Sequence, residues 1–437
     1  MAIDSSELIV PFVGAIQASI SVVLTIVFGV IAAQCNLLSV NAAKEVSRLC
    51  CHMFLPALLT YKIGSNLHQN TAARYVPIFI WSITYTLLSL AVGHIACRFF
   101  KFPSWVKLAV CFNNTTSLPL LLIASLKSTG ILNSIIPDSD SASAALDRAE
   151  SYFLINAMVS DSLTFALGPR VLRDRQHQND PYEDYDSSSS SSDDEGEEDA
   201  MERGPDGIID EETTLLPHLV VHRTNIITRK TYTRTQAYIS TLPPSVQTPL
   251  SVLYEFVNPP LLGALAGAII GLTPPLHNLF FNPSDDGGYF NAWFTSAIKN
   301  IGSLFATLQI IIVGVKLSQS LLKMKAGKDS GKVPAGGLAF ITVVRFLIWP
   351  AISIPLIWAL ATKTGFLKDD PMLWFTMMLM PTGPPAMMLV ALTDITGCKE
   401  GEKMAIAKML TICYGITPLI CFAVVGSLKA TEAAMGR

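Results

Sequence analysis

The sequence predicts an all-α integral membrane protein: ten transmembrane helices in two inverted five-helix repeats, with broken, crossing fourth and ninth helices. Three observations lead there. Half of the 437 residues are hydrophobic and only 15% are charged, with a mean hydropathy of +0.43, too apolar for an ordinary soluble domain. Ten runs reach the ~20 residues needed to cross the hydrocarbon. Two of those runs carry proline and polar residues in their middles, where lipid offers nothing to replace a lost helical hydrogen bond. They are Asn113-Asn114-Thr115-Thr116-Ser117-Leu118-Pro119, inside the run Trp105 to Leu126, and Met380-Pro381-Thr382-Gly383-Pro384-Pro385, inside the run Met372 to Asp394.

In chain order the expected spans lie near 10–33, 46–67, 75–99, 105–126, 151–172, 250–272, 293–317, 337–361, 372–394 and 404–427. Residues Met1 to Pro11 hold Asp4 and Glu7 but no Lys or Arg, so the first run reads as a retained span and not a cleaved signal. All connections but one are short, which makes successive helices antiparallel neighbours. The exception, 173–249, contains an unbroken row Ser187 to Ser192, an acidic run Asp193 to Asp199, and prolines at 205, 217, 243 and 244. Low hydrophobicity with like charge cannot offset the entropy of ordering, so this segment is expected to be disordered. It reads as a solvated spacer, or as a switch worked by an acid-directed kinase on the row Ser187 to Ser192, where Ser190 and Ser192 have an acid three residues on.

This loop divides the chain into 1–172, 173–249 and 250–437, with five spans on each side. An odd number per half forces the halves into opposite orientation, the geometry of an inverted repeat. Two echoes agree: Lys62-Ile63-Gly64-Ser65-Asn66-Leu67 with Lys316-Leu317-Ser318-Gln319-Ser320-Leu321, and Leu118-Pro119-Leu120-Leu121-Leu122-Ile123 with Pro384-Pro385-Ala386-Met387-Met388-Leu389. Charge sets the orientation. Residues 183–212 hold 14 of the 34 acidic residues, leaving a basic membrane body. Placing the long loop in the cytoplasm puts nineteen Lys and Arg on its side and seven on the other. The positive-inside rule therefore makes the loop cytoplasmic and the termini not.

Of eight cysteines, six fall within or at the ends of apolar runs, and no CxxC or Cys/His ligand spacing occurs. No metal site and no cofactor are expected. Nothing resembles a catalytic triad or a phosphate loop, so the chain does not read as an enzyme, and a nucleic-acid partner is not expected.

The breaks carry the chemistry. A carboxylate leaving water needs fixed donors, because a bare charge in lipid costs many kcal/mol. A helix that restarts after a break offers free N–H groups and the positive end of its dipole. Asn113, Asn114, Thr115, Thr116, Ser117 and Thr382 add side-chain hydrogen bonds, while Pro119, Gly383, Pro384 and Pro385 keep the breaks open. The bland alternatives are packing kinks and interhelical glue. Ionisable groups within spans are functional candidates by default. Asp161, mid-way along the fifth span, would hold a proton, a cation or a hydrogen bond to the crossing, or serve a structural partner. Lys62 and Lys316, at equivalent places in the two halves, would attract anions at the two mouths or simply snorkel. Arg345 reads as an anchor towards the cytoplasmic end of the eighth span, and His52 and His94 as structural. Gln309 and Tyr414 are further residues able to line the cavity.

The stretch Phe112 to Leu122, the Lys316-Leu317 end of the seventh span and Met380 to Ala386 resemble the auxin efflux carrier family, most closely its PIN-LIKES branch and the related fungal membrane proteins. The resemblance covers all ten spans and the loop. It implies two inverted five-helix repeats, a scaffold part and a transport part, and helices four and nine crossing near mid-membrane. It also implies movement of a small organic anion, an auxin-like carboxylate in the plant members, across the endoplasmic reticulum membrane, with the plasma membrane as alternative, and a homodimer. The expectation is thus a secondary transporter working by alternating access at the crossing. Two alternatives remain open: a sodium- or proton-coupled organic-anion symporter, and a non-transporting scaffold acting through the acidic loop.

Overall fold

The computed structural model describes residues 5–67, 72–137, 140–173, 259–325, 333–364, 367, 370–386, 388–389 and 400–436. The long loop expected at 173–249 lies outside them from residue 174 onwards, and so do residues 250–258 of the sixth expected span and 390–394 of the ninth. The described residues are helical, with no strand among them and one isolated antiparallel bridge.

The first half begins with α1, Ser5–Gln34. The second expected span is continuous: α2, Val40–Leu49, runs through a π-helical turn, Cys50–Phe54, into α3, Leu55–Asn66. Next come α4, Tyr75–Phe100; α5, Ser104–Cys111; α6, Ser117–Thr129; and α7, Ala142–Arg173. The second half supplies α8, Pro259–Leu272; α9, Pro274–Phe281; and, after a π turn at Asn291–Thr295, α10, Ser296–Lys325. Then α11, Ala335–Val343, passes through a π turn, Val344–Ile348, into α12, Trp349–Lys363. The remaining helices are α13, Pro371–Leu379; α14, Glu400–Gly415; and α15, Ile420–Ala434.

Four of these helices are long and apolar enough to cross a bilayer, at Ile9–Gln34, Tyr75–Phe100, Asn291–Gln319 and Ala335–Lys363. The number reaches six if the bent pairs α8 with α9, at 102°, and α14 with the segment Thr417–Ala434, at 49°, each count as one. The described parts of the other runs are largely helical too, but two are interrupted by their breaks, and the helices over the other two carry several charges, among them Lys44, Arg48 and Lys62 in α2 and α3 and Asp147, Arg148, Glu150 and Asp161 in α7.

Packing follows two groups of helices. Within one, α1 lies along α10 and α3 along α8, with α3 also meeting α10. Gly29 and Gly314 make the first contact possible: a Cβ on Gly29 would lie 2.1 Å from the Ile311 carbonyl oxygen, and one on Gly314 would lie 2.1 Å from that of Ile26. Small residues at helix interfaces allow this close approach where lipid supplies no hydrophobic drive. Polar bonds add to it: Gln34 Nε2 donates to Ser318 Oγ at 2.9 Å, and Thr60 Oγ1 to the Gly263 carbonyl at 3.0 Å. In the other group α4 packs on α5 and α7, and α12 on α13 and α15. The buried core runs through both groups, and its apolar residues facing outwards, such as Phe28, Phe99, Leu347 and Phe422, suit a lipid surround.

Candidate functional site at the paired breaks

The helix α5 stops at Cys111 because Phe112 turns extended, at φ −104° and ψ 117°. The chain stays non-helical to Thr116 and restarts at Ser117. Pro119 therefore stands in the first turn of α6, where its missing N–H costs nothing. On the other side α13 ends at Leu379, and Gly383 takes φ +131°, which glycine alone adopts without strain. Pro384 and Pro385, lacking N–H groups, cannot carry α13 onward, and the chain stays non-helical through Ala386.

The two breaks satisfy each other. Asn113 and Pro385 form the antiparallel bridge. Asn114 N donates to the Pro384 carbonyl and Ala386 N to the Phe112 carbonyl, each at 2.9 Å. Asn113 Nδ2 donates to the Met380 carbonyl at 2.9 Å. Groups orphaned by one break thus find partners in the other, which is how irregular backbone persists in a buried setting. Asn113, Asn114, Thr115, Ser117 and Thr382 are all at most 6% exposed. Gly383, Pro384 and Pro385 are also buried, and Thr116 is half-buried.

The polar residues then divide by use. Asn114 is committed internally: its Nδ2 donates to the Tyr414 hydroxyl at 2.8 Å, and its Oδ1 accepts from Ser117 Oγ at 3.3 Å and Leu118 N at 3.4 Å. Its side chain is a strut between the first break, the start of α6 and α14. By contrast, Asn113 Oδ1, Thr115 Oγ1 and Thr382 Oγ1 are buried with no hydrogen-bond partner. Such atoms cost about 1–3 kcal/mol each when left unmet, so their grouping at one place asks for a ligand or for water.

Arg345 departs from its expected place. It is fully buried in the π turn between α11 and α12, and Nη1 donates to the Pro381 carbonyl at 3.2 Å, at the second break. An anchor at the membrane edge would instead be wet. Tyr85, Cys111 and Cys413 stand within coulombic range of it, and Nε and Nη2 have no partner. Among the described residues no carboxylate pairs with it. Tyr85 is fixed in turn by donating to Asn156 Oδ1 at 2.8 Å, an oxygen that also accepts from Ser82 Oγ at 2.8 Å. Trp81 Nε1 ties the same wall of α4 to α13 through the Met377 carbonyl, at 2.9 Å. The signal that singles out Arg345 in the sequence is its charge inside an apolar run.

The three other charged candidates are placed elsewhere. Lys62 Nζ lies 2.7 Å from both Asp147 and Glu150, joining α3 to α7. Ser151 Oγ reinforces that joint by donating to the Lys62 carbonyl at 3.1 Å. Asp161 is 9% exposed, and both it and Lys316 stand within coulombic range of Cys51. None of the hydrogen bonds among the described residues ties Asp161 to the breaks.

A second polar cluster, unmarked in the sequence analysis, fixes the start of α13. Asp370 Oδ1 caps the helix by accepting from Met372 N at 3.1 Å and Leu373 N at 3.4 Å. Its Oδ2 accepts from the Tyr152 hydroxyl at 2.6 Å and lies 3.6 Å from Arg148 Nε and 3.8 Å from Arg74 Nη1. Arg148 also pairs with Asp140, whose carboxyl it holds below the usual carboxylate range. The signal for the cap is Asp370 directly before Pro371, an N-cap followed by proline in the first turn.

An all-helical body with several apolar helices, built around two mutually satisfied helix breaks, defines a multi-pass membrane protein. Residues 15–420 match the family model described as membrane transport protein. The chain is 22% identical over 444 residues to an uncharacterized transporter of Schizosaccharomyces pombe, covering 95% of this chain and 96% of that one. It is 22% identical over 398 residues to an uncharacterized transporter of Saccharomyces cerevisiae, with 88% of each covered. It is also 31% identical over 151 residues to Protein PIN-LIKES 5 of Arabidopsis thaliana, 35% of each. The chain belongs to this membrane transport protein family, the auxin efflux carriers.

Proposed function

We propose that the chain is a secondary transporter that carries a small organic anion, of the auxin-like carboxylate kind, by alternating access about the paired breaks. The observation that carries this reading is the group of buried, unpartnered polar atoms, Asn113 Oδ1, Thr115 Oγ1 and Thr382 Oγ1, beside two helix breaks. A bound ligand with its own donors and acceptors relieves that cost in one conformation and leaves it in another. Thr116, Ser117, Pro119, Gly383, Pro384 and Pro385 shape the site around them, and Asn114 holds its frame.

On this reading the body comprises ten spans in two inverted repeats, 1–172 and 250–437. Helix pairing supports it: α1 with α10 and α3 with α8 are equivalent under the repeat, as are α4 with α5 and α7 and α12 with α13 and α15. The segment 173–249 is a cytoplasmic connector whose row Ser187 to Ser192 is open to a kinase. The protein works in the endoplasmic reticulum membrane, with the plasma membrane as alternative, as a homodimer. Lys316 acts near one mouth, while Lys62, held by Asp147 and Glu150, braces α3 against α7. Coupling is the point on which a second reading turns, because Asp161 is a nearly buried carboxyl in the fifth span.

Uptake of radiolabelled indole-3-acetate and a panel of small carboxylates into proteoliposomes tests this, under a sodium gradient, a proton gradient or neither. Saturable uptake without an ion gradient supports uniport, and proton-dependent uptake lost in Asp161→Asn supports coupling there. Absence of uptake of every carboxylate by folded protein would sink the anion reading.

A further inference from the structure

We propose that Arg345 is the fixed cation of the transport site and grips a single carboxylate of its substrate through a side-on, two-point hydrogen bond. The inference rests on the anion reading above and extends it to a charge-selecting residue. Its basis is the way the guanidinium is used. Nη1 is occupied by the Pro381 carbonyl at 3.2 Å, whereas Nε and Nη2 have no partner. Those two nitrogens form one edge of the planar group, with parallel N–H bonds spaced to meet both oxygens of one carboxylate.

Burial makes the unmet edge expensive. Arg345 is 0% exposed and, among the described residues, no Asp or Glu balances it, its neighbours being the uncharged side chains of Tyr85, Cys111 and Cys413. A buried charge without a partner is tolerated where function needs it. Nη1 holds the edge in register with the second break, one residue from the unpartnered hydroxyl of Thr382. The rings of Trp81, Tyr85 and Trp349 contact one another with centroids 5.9–6.4 Å apart, and Tyr85 joins this apolar cluster to the surroundings of Arg345. The described conformation closes the edge from water, so the substrate meets it in the open conformations of the cycle.

Equilibrium binding to the reconstituted full chain tests this with three probes: indole-3-acetate, its neutral amide indole-3-acetamide, and an aromatic dicarboxylate of similar size. Wild-type protein is expected to favour the monocarboxylate over each of the others by at least tenfold. In Arg345→Gln, which keeps a donor for Pro381, affinity for the acid falls at least tenfold, affinity for the amide holds, and the preference between them disappears. Arg345→Lys, retaining charge without the fork, falls between. A merely structural arginine would lower both ligands together or neither. Unchanged acid affinity in folded Arg345→Gln, or equal binding of acid and amide by wild type, would overturn the proposal. Failure of wild type to bind any carboxylate would remove the anion reading itself and the proposal with it.

Discussion

The backbone N–H of Asn114 donates to the carbonyl of Pro384 at 2.9 Å, across 270 residues of sequence, so the two helix breaks are one hydrogen-bonded unit. Each break alone would leave buried backbone groups unmet. Together they form a non-helical knot in which each break supplies partners to backbone groups of the other.

The strut that steadies this knot is the pair Asn114 and Tyr414. Tyr414→Phe takes the acceptor from Asn114 Nδ2 while keeping the ring. The expected cost is about 1–3 kcal/mol for a buried donor left with only its weak contact to Ser117. Thermal melting of purified protein checks it, and a melting temperature equal to wild type would show that the strut is dispensable.

Close packing of α1 on α10 is a second commitment. Gly314→Ala places a methyl 2.1 Å from the Ile26 carbonyl oxygen, against backbone that cannot turn aside. Overpacking of this kind costs roughly 1–3 kcal/mol. The same change at Gly415, which has open space around its Cβ position, is expected to be mild. Comparing the two melting temperatures separates packing from helix propensity.

At the start of α13, Asp370→Ala removes a helix cap and uncovers Arg148 and Arg74 together. A loss of about 1–3 kcal/mol follows from the lost cap and the Tyr152 hydroxyl left without its acceptor, because the two arginines are partly exposed and Arg148 keeps Asp140. The neighbouring pair has a pH signature. The Asp140 carboxyl is lowered by Arg148, so its contribution is present above the ordinary carboxylate value of 3.8 and is lost as pH falls through the lower folded value. The melting difference between wild type and Asp140→Asn is therefore expected to hold from pH 7 to about pH 4 and to close below it. A gap that widened on acidification would contradict the assignment.

Much of the body was legible because proline and clustered Asn/Thr inside apolar runs have few other readings. The breaks fall where Asn113 to Pro119 and Met380 to Pro385 put them, and bounds such as those of α4 and of α11 through α12 follow the hydrophobic runs within a few residues, whereas α7 begins nine residues before its run and α10 ends eight after. What escaped depends on distance in sequence. Nothing local says that Asn114 bonds inward to Tyr414 while Asn113 and Thr382 keep free atoms. Nor does a lone arginine in an apolar run reveal whether it turns to the membrane edge or to a break 36 residues away. The π turn that carries Arg345 has no signature in the sequence. Asp370 with Pro371 is different, since a cap followed by proline is a local pattern.

The most direct measurement is saturable uptake of radiolabelled indole-3-acetate into proteoliposomes by wild type, Thr115→Val and Thr382→Val, with the melting temperature of each. Both hydroxyls are buried and unpartnered, so their removal is expected to leave stability unchanged or raise it. If the paired breaks are the transport site, uptake at low substrate falls about tenfold, the worth of one lost hydrogen bond of about 1.4 kcal/mol. Wild-type uptake in both variants, in protein that melts normally, would contradict the assignment of transport to the paired breaks.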